Sequence, residues 1–139
     1  MRKRSKFWRY IVFADLLIKV GALRPAERVL QKAIIAATDQ GDRGRLADVY
    51  SVQAGLEERK GDKASAQMLL QKATKIAPSD EIGMHHCNLA LFYKRHHEYE
   101  SAETHFVEAL RLLAAHYEDY RDSIEAELRE CREKASAKK

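Results

Sequence analysis

The sequence predicts an all-α solenoid of three helical hairpins followed by a capping helix. Only eight of the 139 residues are Gly or Pro, about half the usual share of these turn formers. Alanine supplies 20 residues against 16 for Val, Ile and Thr together, a bias toward helix over strand. One pattern of small residues occurs three times along the chain, and internal repetition of this kind marks a repeat architecture.

The first unit spans about residues 7–46, the second 47–82 and the third 83–116. Each opens with an amphipathic segment carrying a ring at Tyr10, Tyr50 or His86, then an alanine at Ala14, Ala54 or Ala90, then a turn residue, Gly21, Gly61 or His97. After the turn come Ala26, Ala66 or Ala102, a large apolar residue at Leu30, Leu70 or Phe106, and a second alanine at Ala33, Ala73 or Ala109. Two antiparallel helices approach closely only where the facing side chains are small, so the nine alanines are expected at contacts. Phe13 and Leu17, Leu56, and Leu89 and Tyr93 are expected to fill the space that remains. Successive hairpins then bury a core that none buries alone.

From Tyr117 to about Glu133 the helical period continues without the hairpin pattern. Tyr120, Ile124, Leu128 and Cys131 form a single apolar stripe, as expected of a cap over the last hairpin. Residues 1–6 are expected to be a basic extension and 134–139 a frayed basic tail. The first helix has no comparable cap, which leaves Phe7, Trp8 and Ile11 as an expected exposed apolar edge open to self-association.

The small-residue skeleton and Pro78 resemble the tetratricopeptide repeat, over about 80% of the chain. Gln53 and Glu57 stand where that family usually has apolar residues, His97 replaces the turn glycine, and Thr38 and Ala114 replace the closing proline. Repeat spacings of 40 and 36 residues place extra residues in Thr38–Arg45 and Pro78–Gly83. Together with Asn88-Leu-Ala-Leu-Phe-Tyr-Lys94, this spacing is similar to the kinesin light chain subgroup. The resemblance implies a right-handed superhelix with a concave, partner-binding surface. The groove positions it implies are Trp8, Ile11, Asp15, Ile18 and Lys19; Asp48, Ser51, Val52, Gly55, Glu58 and Arg59; and Met84, Cys87, Asn88, Leu91, Lys94 and Arg95. The clamp with which some members hold a C-terminal aspartate pair is disfavoured. The matching places hold Ile11, Asp15, Val52, Met84 and Asn88, and Asp15 repels a carboxylate. A partner with apolar anchors and an acid opposite Lys94 and Arg95 fits this lining better.

The net charge of +4 divides unevenly. Residues 1–9 carry five bases and no acid, residues 129–139 five bases and two acids, and residues 10–128 the remaining 15 bases and 19 acids. A nucleic-acid binder more often shows a basic stripe on folded elements. Association with nucleic acid through Arg2, Lys3, Arg4, Lys6 and the terminal lysines is the alternative function. The opening residues imitate a signal peptide, yet the apolar run Tyr10–Ala14 is shorter than a usual hydrophobic region and no stretch suits a membrane span. Two cysteines, 44 positions apart, suit a reduced cytoplasmic setting. No phosphate-binding loop, nucleophile elbow or zinc signature occurs, so the chain is expected to be no enzyme and to use no cofactor or metal. The six histidines gather between His85 and His116, where packing or surface roles are favoured over metal binding and a pH-sensitive interface is expected.

Overall fold

The computed structural model describes residues 2–137, with side chains from Lys6 onward. The side chains of Arg2, Lys3 and Arg4, invoked above for nucleic acid, lie outside that range. The described residues form seven α-helices and one short 3-10 helix, with no strand. They are α1 (Arg2–Lys19), α2 (Leu23–Asp39), α3 (Arg43–Arg59), α4 (Lys63–Ile76), α5 (Ile82–Arg95), α6 (Tyr99–Arg111), the 3-10 segment (Ala115–Tyr120) and α7 (Arg121–Ala137). Two compact units result, one ending at Ile76 and one beginning at Ala77.

The three hairpins are α1–α2, α3–α4 and α5–α6. Each of the nine repeating alanines is at most 2% exposed, which identifies them as the contact positions between helices. The turns share one device. Gly21, Gly61 and His97 take positive φ values of 83°, 85° and 61°. Their amides donate to Ile18, Glu58 and Lys94, while the next amides donate back to Leu17, Glu57 and Tyr93. This is the Schellman closure, which satisfies the last carbonyls of the preceding helix.

The same closure recurs between α2 and α3, where Gly41 has φ 60° and Asp42 donates its amide to the Ala37 carbonyl. The Asp42 carboxylate then caps α3 by accepting from the Arg45 amide at 3.0 Å. The extra residues expected to lengthen a connection over Thr38–Arg45 are therefore mostly helical. α2 and α3 have 17 residues each, joined by a tight turn.

In the first unit, α1 packs on α2 and α3, and α3 packs on α2 and α4. Phe7, Ile11, Ala14 and Ile18 enter a core with Leu30, Val49 and Leu56. Burial of each large member contributes roughly 1.5–3 kcal/mol. This reverses the expectation for the first helix: Phe7 and Ile11 are interior, and Phe13 is exposed. The hairpin turns its 7/11/14/18 stripe inward, so position 13 falls on the far side.

In the second unit, α6 packs on both α5 and α7 around Leu89, Phe92, Phe106, Ile124, Leu128 and Cys131. The expected stripe of the last helix is buried at Ile124, Leu128 and Cys131. Tyr120 is half exposed instead, because it ends the 3-10 turn before α7 begins. Gly83, expected in a connection, lies inside α5. No helix among the described residues is long and apolar enough to cross a membrane.

Candidate binding surface

Met84, Cys87, Asn88 and Leu91 follow the i, i+3, i+4, i+7 spacing that places residues on one face of a helix. In the second unit that face of α5 and the residues Tyr120, Ser123, Ile124 and Glu127 line an open depression of about 250 Å³. Four groove residues expected from the sequence, Met84, Cys87, Asn88 and Leu91, are thus brought together. The opposite wall was not legible, because it comes from the cap.

Lys94 holds that wall in place. Its ammonium donates to Glu127 and, at 2.7 Å, to Glu130 on α7. Burial works against the charge, but the two carboxylates outweigh it and push Lys94 up to about 12. Glu130 is drawn down to about 2 by its hydrogen bonds from Lys94 and from Lys134. The carboxylates expected on a ligand opposite Lys94 are supplied by the chain itself. Arg132 with Glu103, at 3.0 Å, ties α7 to α6 in the same way. Arg95 is exposed at the end of α5. Burial pushes the Cys87 thiol up to about 11, so at neutral pH it is an apolar lining group and no nucleophile.

In the first unit the expected residues have mixed fates. Ile11 and Ile18 belong to the core. Asp15 pairs with Lys19 at 2.9 Å on the surface of α1. The Ser51 hydroxyl donates to the Ala47 carbonyl at 3.2 Å. Asp48, Val52, Gly55 and Glu58 are half buried along α3, and Arg59 is exposed, reaching over the Gly21 turn. Trp8 is exposed and belongs to a different surface, a shallow trough with Arg9, Val12, Phe13 and Leu16. The sequence reading missed Val12 and Leu16. Their signal was the spacing 8, 12, 16, 20 on a helix already apolar at 7, 11, 14, 18.

His86 and His105 meet between α5 and α6 with their Nδ1 atoms 3.0 Å apart. The ring centroids are 5.3 Å apart and the planes differ by 20°. That separation results only when the two nitrogen-bearing edges face each other head-on, a hydrogen bond in the tautomer where one Nδ1 carries the proton and the other offers its lone pair. Tyr93 lies beside His105 at 5.5 Å. Burial lowers both imidazole pKa values. At His86, Arg111 and His85 also lower it, against Glu108; at His105, His86 lowers it, again against Glu108. His86 occupies the ring position of the first two repeats as expected, with a titrating contact that tyrosine lacks.

Small-residue hairpins, Schellman turns and an open apolar depression define a helical-repeat protein of the α-solenoid class. Among solved structures the chain is similar to BtubC (BKLC) from P. vanneervenii, a kinesin light chain-like tetratricopeptide-repeat protein. The TM-score is 0.63 at 31% identity, over 74% of this chain and 44% of that one. The chain therefore spans less than half the length of that neighbour. No protein-family model and no curated protein matches the sequence.

Proposed function

We propose that this protein is a non-catalytic interaction scaffold that binds a segment of a partner protein on the inner helices of its repeats. The observation that carries this is the depression in which Met84, Asn88 and Leu91 of α5 face Tyr120, Ser123, Ile124 and Glu127. Leu91, Met84 and Ile124 offer apolar anchoring, and the Asn88 amide offers paired donor and acceptor groups for a peptide backbone. Because Lys94 is engaged by α7, the partner segment is recognised by apolar contacts and hydrogen bonds more than by an acidic side chain. The 31% identity to a tetratricopeptide-repeat protein supports the scaffold reading. The two unpaired, buried cysteines fit a reducing cytoplasmic setting.

The test is photo-crosslinking in the native cell, with a photoreactive residue at Leu91 and a control at Val107, which is exposed on α6. A discrete protein adduct at Leu91, missing at Val107 and lost on Asn88→Arg, is expected. Equal labelling at both positions overturns the assignment.

A further inference from the structure

A second surface lies on α1. At 100° per residue, Phe7, Ile11, Ala14 and Ile18 point into the core of the first unit and Val12, Leu16 and Val20 point directly away. Trp8 and Phe13 stand on either side of Val12 and Leu16, making a shallow trough. These five side chains are 50 to 75% exposed. They present on the order of 500 Å² of contiguous apolar surface, the upper end for an ordinary monomer. A helix apolar on opposite faces is one that is covered on both.

Charge indicates what covers it. Lys6 and Arg9 are exposed at the N-terminal end of the trough, and no described carboxylate pairs with either. The one acid of α1, Asp15, is held by Lys19. A second copy docked parallel sets Arg9 beside Arg9, and docked antiparallel about Val12 sets Arg9 beside Asp15, whose carboxylate Lys19 already holds. Neither brings an uncommitted acid to Lys6 and Arg9, and like charges across the parallel interface select against that pairing. We propose that the outer face of α1 docks an amphipathic helix of another protein, apolar along the stripe that meets Val12 and Leu16 and acidic where it meets Lys6 and Arg9. Trp8 and Phe13 then serve as the aromatic anchors that dominate such contacts. This surface is separate from the α5 depression and does not depend on it.

Trp8 is the single tryptophan of the chain, so its fluorescence reads this face alone. The probes are two synthetic helical peptides of about 18 residues, with the same leucine stripe and either Glu or Lys flanking one end. The Glu peptide is expected to shift Trp8 emission to the blue and to bind on the order of tenfold more tightly than the Lys peptide. Arg9→Glu inverts the preference, and Leu16→Asp abolishes binding with far-ultraviolet circular dichroism unchanged, since Leu16 is exposed. Equal binding of the two peptides, or none, overturns the proposal. So does a dimer in sedimentation that Leu16→Asp dissociates, which assigns the face to a second copy. Partition of Trp8 into anionic vesicles with no response to either peptide overturns it in favour of a lipid surface. Leu91 crosslinking in Leu16→Asp stays unchanged, which keeps a failure here distinct from a failure of the groove reading.

Discussion

His97 shows how much a single backbone angle demands. It holds φ 61° at a turn where the other hairpins use glycine, and a left-handed non-glycine residue costs roughly 1–2 kcal/mol. Its Nδ1 lies 2.8 Å from the Tyr99 hydroxyl, an exposed contact that offsets little of that cost. His97→Gly is therefore expected to raise stability by about 1 kcal/mol, read by urea denaturation; an unchanged or lower midpoint contradicts this account. The His86–His105 pair makes a pH prediction. Both pKa values are depressed below the unfolded value of 6.5, so below that pH the unfolded chain binds more protons and stability falls as pH drops. Protonating both rings also sets two N–H groups head-on. Thermal midpoints of the second unit are expected to fall between about pH 7.5 and 5.5, and His105→Leu to flatten that slope.

At the scale of the element, two helical glycines behave oppositely. Gly83 lies on α5 where a Cβ would meet the backbone of Leu112 at 2.9 Å and the Ala109 carbonyl at 3.1 Å. Gly55 on α3 has nothing within 4 Å of the same position. Helix propensity alone promises about 1 kcal/mol of stabilisation for alanine at either place. At Gly83 the close approach of α5 to α6 decides the sign. Gly83→Ala is expected to destabilise by about 1–3 kcal/mol, and Gly55→Ala to stabilise by about 0.5–1 kcal/mol. Both are measured by denaturation of the single variants, and a gain at Gly83 sinks the packing argument. The two glycines look alike in the sequence, since what separates them is a neighbouring carbonyl from another helix.

At the scale of the molecule, the three hairpins were legible because their cause is local and repeated. Small residues at fixed offsets from a turn mark close contacts wherever they occur, and all nine alanines are buried. One wall of the depression was legible too, since Met84, Asn88 and Leu91 share a helical face by spacing alone. Its other wall was not. Glu127 and Glu130 read as surface charges on a cap until α7 sets them against Lys94, 33 and 36 positions earlier in the chain. Nor was the phase of α1 legible, since that helix has apolar residues on two faces and its sequence does not say which is inside. The sequence by itself determined that the chain is helical, the three hairpin turns and the contact alanines, because propensity, capping and steric size act over a few residues. Only the tertiary structure decided that Phe7 is inside and Phe13 outside, that Lys94 is tied to α7, and that Trp8 lines a trough. Each of these depends on which distant surface a side chain meets.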